Sequence, residues 1–241
     1  MGFTIALCTF DKTKIMNSCA LCKYRIEKVK YLKDKMVNHL NFENIKKSDL
    51  KKCKKCFLIQ NHKQFQKFST SFYRKINQSD LFVFSDKKKI NKNKFQHEYI
   101  SKNVKLNKNS KILDFGCNKG DLLFYFKKHK SIKNVYGYDV NKYFKNDLKK
   151  KKINYENFYK SKKKFDLIIF SHSLFYVKNL GKLFNQVNKK LLPKGKLYIE
   201  IPDLNQNPIY SLMGDQSYIF TRNSLINVLR YFNFTCTSMR I

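Results

Sequence analysis

Four of the seven cysteines in this sequence come as two Cys-x-x-Cys pairs, Cys19 and Cys22 in "CALC" and Cys53 and Cys56 in "CKKC". Paired thiolates at that spacing form the two knuckles of a tetrahedral zinc site, each loop presenting two sulfurs to one ion. One pair alone would also suit a redox motif, and four unligated thiols are the plainer alternative. Two pairs in one short segment favour metal. Four sulfurs leave no open position for water or substrate, so the role expected of the ion is structural. Cys8, Cys117 and Cys236 are expected to be unligated. An odd cysteine count without a secretory signal argues against a disulfide scaffold.

A second cluster lies in "KILDFGCNKGDLL", Lys111 to Leu123. It reads as a buried strand ending in Asp114, a turn on Gly116 and Gly120, and the entry to a helix. A dinucleotide-binding loop needs Gly-x-Gly-x-x-Gly, its middle glycine letting the backbone approach a pyrophosphate. Here Asn118 would crowd that group, so NAD is disfavoured. A ligand without phosphates but with an amino-acid moiety suits Asp114, because a cationic amine welcomes a nearby carboxylate. Asp139, in "YGYDV", lies 23 residues beyond Gly116. There it can accept hydrogen bonds from both ribose hydroxyls of an adenosine ligand. Taken singly, Asp114 could be a cap and Asp139 a turn former.

These residues need a scaffold. "KILDFG", "NVYGYDV", "FDLIIFSHSLFYV" and "KLYIEIPD" are short apolar runs rich in Ile, Val, Phe and Tyr. Between them lie the helix-like "DLLFYFKKHK", "NKYFKNDLKKK" and "NLGKLFNQVNKKL". Alternating strands and helices predict an α/β fold, a Rossmann-like, mostly parallel sheet with helices on both faces. A helix, "TRNSLINVLRYF", and one strand, "FTCTSMRI", close the chain. The expected organisation is a zinc-binding module over 1–62, a helical linker or substrate-side segment over 63–110, and the Rossmann-like domain over 111–241. The Lys-rich stretch between the cysteine pairs is expected to be helical, as are "QFQKFSTSFYRKI" and "NKFQHEYISKNVK".

The net charge of +34 invites a polynucleotide reading. Yet only five of the 51 basic residues are arginine, the residue suited to bidentate phosphate and guanine contacts. Lysines mixed with Asn, Ile, Phe and Tyr are what an AT-rich genome would encode at tolerant surface positions. Nucleic acid is therefore a partner not favoured. "GFTIALC" is too short for a signal-peptide core, and no run reaches transmembrane length. A cytoplasmic protein with no membrane partner is expected.

Residues 111 to 203 resemble a class I S-adenosylmethionine-dependent methyltransferase. The resemblance implies an enzyme whose loop residues Asp114, Gly116, Cys117, Asn118 and Gly120 surround the methionine part of the cofactor. It implies Asp139 with Val140 at the ribose, and Glu156 and Asn157 of "NYENF" near the adenine. Ser171 would lie where the fourth strand opens onto the methyl-transfer face. "LLPKGKLYIEIPD" resembles the family's turn into its fifth strand. With the cysteine pairs, the match narrows to the zinc-binding sugar C-methyltransferases. Their Gly-Ser-Asn-Asp-Gly type loop is here Gly116-Cys117-Asn118-Lys119-Gly120, followed by Leu122-Leu123. "IEIP", Ile199 to Pro202, matches their Glu-x-Pro. This branch implies bound zinc and a small acceptor, a nucleotide-linked sugar.

Two departures shape the expectations. Where the branch carries a Glu-His pair after the fifth strand, this chain has Asp215-Gln216, and glutamine cannot take a proton at neutral pH. The family also often shows a His where this chain has Tyr176. Methylation at oxygen or nitrogen is then expected at least as readily as at carbon. His172, just past the fourth strand, is the candidate base; it could instead merely line the pocket. Tyr176 could orient substrate or belong to the core. The second departure is length. The family's sheet has seven strands, the last antiparallel and inserted between the fifth and sixth. Only one strand candidate follows "KLYIEIPD", so C-terminal strands of the sheet are expected to be missing, either because the chain is truncated or because the sheet ends short. The competing functions are an RNA or tRNA methyltransferase, and a non-catalytic zinc and S-adenosyl ligand-binding module. The RNA reading lacks support after the fourth strand, where "SHSL" replaces the Asn/Asp-Pro-Pro-aromatic clamp used on exocyclic base amines.

Overall fold

Ile112–Phe115 and Phe165–Ser171 contain almost nothing but large apolar side chains, and Leu167 through Phe170 are completely buried. Strands without a polar face must be covered on both sides, which is the environment of a parallel sheet crossed over by helices. That is what forms. The computed structural model describes residues 3–10, 26–28, 35–37, 44–47, 50–61, 82–85, 88–208 and 216–240.

In chain order the first strands are β1 (Phe3–Phe10), β2 (Ile26–Lys28), β3 (Lys35–Val37), β4 (Asn44–Lys47), β5 (Leu50–Cys53) and β6 (Ile59–Asn61). A hairpin, β7 (Phe82–Ser85) and β8 (Lys88–Asn91), leads into helix α1 (Lys92–Asn103). Then come β9 (Ile112–Phe115), α2 (Asp121–Lys130), β10 (Val135–Tyr138), α3 (Lys145–Lys150) and β11 (Asn154–Tyr155). The chain continues through β12 (Phe165–Ser171), α4 (Leu180–Lys190) and β13 (Leu191–Pro202). It ends with β14 (Tyr218–Ile219), α5 (Arg222–Tyr231) and β15 (Phe234–Arg240).

Two units interleave along the sequence. One comprises Ser69–Ser171 with Gln186–Tyr198. Its strand order is β11-β10-β9-β12, followed by the start of β13. The pairings of β9 with β10 and β12, and of β10 with β11, are all parallel. Register places Asp114 between Gly137 on one neighbour and Ile169 on the other. Helix α1 begins on Asn91, whose side chain accepts from the amides of Asn93 and Lys94. "NKFQHEYISKNVK" is thus helical as expected, whereas "QFQKFSTSFYRKI" lies outside the described residues.

The other unit comprises Met1–Phe68, His172–Asn185 and Ile199–Ile241. Here the end of β13 neighbours β1, and β1 pairs antiparallel with β15. Where C-terminal strands of the sheet were expected to be missing, β15 alone follows β13 in it among the described residues. The antiparallel position between the fifth and last strands is taken by the N-terminal strand rather than a C-terminal one. Phe3–Phe10 fits because Ile5, Ala6, Leu7 and Cys8 are all buried there. Thr4, wholly buried, donates from Oγ1 to Asp203 Oδ2 at 2.6 Å and ties β1 to the loop after β13. Thr4→Val removes that donor from a buried carboxylate. It is expected to cost about 2–3 kcal/mol of unfolding free energy, read as a lower urea midpoint at unchanged slope; an unchanged midpoint would refute the tie.

The same unit holds a small antiparallel sheet of order β14-β6-β5-β2, with Leu50, Ile59 and Ile219 at its core. The described residues of the stretch between the cysteine pairs form short strands rather than the expected helix. Lysine is a tolerable helix former, but this segment has no apolar stripe of 3.6-residue period to bury. Short hairpin pairings satisfy its backbone instead.

Candidate functional site

The loop after β9 turns through three left-handed residues, Gly116 (φ 81°), Asn118 (φ 48°) and Gly120 (φ 76°). Gly120 has no alternative: a Cβ there would lie 2.5 Å from Leu148 Cδ2 and 2.9 Å from Ile153 Cδ1. Asn118 is the non-glycine residue type that best tolerates this backbone. Its placement answers why it stands there. Its amide donates to Asp139 Oδ2 at 3.0 Å, and its side-chain oxygen accepts from the Lys119 amide at 2.7 Å. The amides of Gly116 and Cys117 both donate to the Tyr138 carbonyl, at 2.7 and 3.1 Å. The loop is thus bolted to the end of β10, and the two acids Asp114 and Asp139 are held at the ends of adjacent strands.

Asp114 is 4% exposed, and its Oδ1 is buried without a hydrogen-bond partner. Burial, reinforced by the charge of Asp139 and only partly offset by Lys92, pushes its carboxyl up to about 8. A carboxyl kept in that condition fits a ligand's ammonium group. Asp139 is half-buried, and burial raises its pKa while the amides of Asn141 and Asn118 pull it back. Each of its oxygens accepts one amide, from Asn118 and from Asn141, leaving lone pairs for further donors. Val140 next to it is 80% exposed and Tyr143 49%, an apolar surface beside an acid. Cys117 is buried, its thiol pushed well up by burial and by the charges of Asp114 and Asp139. It packs where a Cβ on Gly137 would come within 2.7 Å of its sulfur. Its side chain faces the protein, so only its backbone can serve the loop.

Glu156 and Asn157 follow β11. The Glu156 amide donates to the Gly137 carbonyl at 3.0 Å, and its carboxylate pairs with Lys163 at 2.9 Å. Asn157 builds the next turn, accepting from the Lys160 amide. Ser171, the last residue of β12, accepts from Gln96 Nε2 at 2.8 Å. Gln96, almost fully buried on α1, is a partner of Ser171 that the sequence did not disclose.

In the other unit, His172 adopts a left-handed backbone (φ 53°), and its amide donates to the Glu200 carbonyl at 2.9 Å. Its Nε2 lies 2.8 Å from Glu200 Oε1. Glu200 is 2% exposed, an acid inside the apolar run of β13. An ionised Glu200 can only accept, which would place the proton on Nε2 and make Nδ1 the ring's basic nitrogen. The sequence signal for Glu200 was a lone acid in "LYIEIP", matched as a family motif but not assigned a role. Tyr176 ends a 3-10 turn, Leu174–Tyr176, half-buried against Phe175. The Phe175 carbonyl accepts from the Ser217 amide. Gln216 is buried, and Asp215 lies outside the described residues.

Cys53 ends β5 and Cys56 sits in the tight turn before β6. Burial raises the Cys53 thiol, but the amides of Cys56 and Lys55, the Cys56 side chain and the Lys55 charge bring it below its ordinary value. Amides aimed at a sulfur are what a metal-binding knuckle provides. Cys19 and Cys22 lie outside the described residues, and the described residues alone hold no group of three or more metal-ligating side chains. His97 is buried and packs edge-on to Phe126. No helix among the described residues is long and apolar enough to cross a membrane.

A family model described as "Methyltransferase domain" matches residues 90–239. No curated protein matches the chain. Among solved structures, Streptomyces venezuelae DesVI is 20% identical over 48% of this chain, with a TM-score of 0.40, and the chain spans only 53% of it. A coclaurine N-methyltransferase bound to N-methylheliamine and S-adenosylhomocysteine is 14% identical, covering 62% of this chain and 49% of that one, with a TM-score of 0.49. An S-adenosylmethionine-dependent methyltransferase from Archaeoglobus fulgidus is 19% identical, covering 59% and 69%, with a TM-score of 0.45. The match over residues 90–239 takes in the glycine loop, both acids and the strands that carry them, and it places this chain in the methyltransferase domain family.

Proposed function

We propose that this chain methylates a hydroxyl or amine of a small, sugar-containing acceptor, a nucleotide-linked sugar being the class its resemblance suggests. S-adenosylmethionine supplies an electrophilic methyl group on a sulfonium. Asp114 would hold the cofactor's ammonium, Asp139 its ribose hydroxyls, and the exposed Val140 its adenine, with Glu156 and Asn157 at the rim. His172 would take the acceptor's proton on Nδ1 while Glu200 holds the ring. Tyr176 would orient the acceptor. The observation that carries this reading is the 2.8 Å His172–Glu200 contact on a left-handed histidine. Backbone strain of this kind costs roughly 1–3 kcal/mol and concentrates at functional sites. Positioning and water exclusion would supply most of the rate.

Calorimetric titration with S-adenosylhomocysteine tests the cofactor half. The parent is expected to bind in the micromolar range, and Asp139→Ala to weaken binding by about 30-fold or more, the worth of two charge-assisted hydrogen bonds. A folded parent that does not bind would sink the reading. A nucleotide-sugar pool and RNA, offered in parallel at two salt concentrations, separate the acceptors. Methylation of RNA that falls steeply with salt would replace the sugar by a polynucleotide.

We also propose a structural zinc held by Cys53 and Cys56 together with Cys19 and Cys22. The amide-lined sulfur of Cys53 supports it. One equivalent of zinc per purified chain is expected, falling to a small fraction of that in Cys53→Ser. A zinc-free, folded parent would refute it.

A further inference from the structure

In the β1–β15 ladder Cys8 stands directly opposite Cys236. Opposed residues of an antiparallel pair project to the same face, with Cα atoms about 4.5–5.5 Å apart. A disulfide spans about 4.4–6.8 Å, a range that includes this ladder spacing. The ladder is irregular at this point. Leu7 opposes Ser238 and Cys8 opposes Cys236, which leaves Thr237 as the extra residue of a bulge. Thr237 Oγ1 pins the bulge by donating to the Leu7 carbonyl at 3.2 Å. Neither cysteine is in a disulfide.

Access is unequal. Cys8 is fully buried, whereas Cys236 is half-buried and lines a cavity of about 470 Å³ with Arg222, Arg230 and Thr235. The hydrogen bond from Cys8 outweighs burial and, helped by the Ser238 backbone and the Arg222 charge, holds the Cys236 thiol at about 7. Much of it is thiolate at neutral pH, the form that reacts.

We propose that Cys236 is an oxidation site for hydrogen peroxide, with Cys8 as its resolving thiol. The Cys236 thiolate attacks one peroxide oxygen, the O–O bond breaks, and the departing hydroxide takes a proton to become water. The resulting sulfenic acid is attacked by Cys8, a second water leaves, and an S–S bond joins β1 to β15. Two thiols lose two electrons and one peroxide becomes two waters. This site is independent of the acceptor chemistry. Its bond would staple the N-terminal strand into its place in the sheet.

The full reduced chain, treated with a small excess of peroxide, blocked with N-ethylmaleimide and digested, is expected to yield the Cys8 and Cys236 peptides joined and two hydrogens lighter. The staple closes a loop of nearly the whole chain and should raise Tm by about 5 °C or more. In Cys8→Ser, dimedone should capture Cys236 as sulfenic acid, and in Cys236→Ser, Cys8 should be recovered maleimide-blocked. Recovery of both cysteines blocked in the treated parent would overturn the proposal, as would linkage of Cys236 to any other cysteine.

Discussion

Asp114→Asn is expected to stabilise the empty protein at pH 8 and to abolish S-adenosylhomocysteine binding. The parent keeps a carboxyl in a buried site beside Asp139, which lifts it from 3.8 to about 8. A group raised in the folded state binds its proton more tightly there than in the unfolded chain. Its contribution to stability is therefore fully present below about pH 4 and is lost as pH rises through about 8. The shift corresponds to a cost on the order of 5 kcal/mol at the alkaline end. Asparagine keeps the shape and cannot ionise, so it does not incur this cost. Urea midpoints of parent and variant should coincide near pH 4 and separate progressively toward pH 8, with the variant higher. A separation that does not change with pH would show that the Asp114 carboxyl is not buried as described. Binding adds the converse: the cofactor's ammonium favours the ionised acid, so the parent should release a proton on binding near pH 7. The gain in empty-state stability and the loss of ligand would be one trade if the partner of Asp114 is, as proposed, the ligand's ammonium group.

His172→Ala should lower the methyl-transfer rate by roughly 10²–10⁴-fold, the usual worth of a positioned general base, while leaving S-adenosylhomocysteine affinity within about threefold. Glu200→Gln is the finer test. The amide has nearly the same volume, but it no longer fixes the proton on Nε2 by charge, so the tautomer with a basic Nδ1 is populated less. A fall in kcat of about tenfold or more with KM unchanged is expected. A merely structural Glu200 would instead change the urea midpoint and spare kcat in the folded fraction. Turnover by His172→Ala close to the parent's would remove the histidine from the chemistry and leave methyl transfer to positioning alone.

Both predictions rest on residues whose sequence readings fared differently. Asp114, Gly116, Gly120 and Asp139 were legible because each is determined within a few residues: a strand end, a left-handed turn, a second strand end. Asn118 was legible as an oddity but not as a tie. The hydrogen bond that its amide donates to Asp139 spans 21 residues and depends on how β9 and β10 register. Glu200 shows the same limit. An acid inside an apolar strand announces that something must satisfy it, and only the fold supplies His172, 28 residues away.

The sequence by itself determined the parallel half of the sheet, the helices between its strands, the glycine loop and the two acids. These depend on the run of β-branched and aromatic residues, on turn chemistry and on helix capping, all contained in short contiguous windows. Tertiary structure alone decided where Phe3–Phe10 would go. An eight-residue apolar strand can pair with any open edge, and it pairs with the last strand of the chain because that leaves no gap in the sheet. The Thr4–Asp203 hydrogen bond, spanning 199 positions, and the Cys8–Cys236 juxtaposition both follow from that one pairing, which no local pattern encodes.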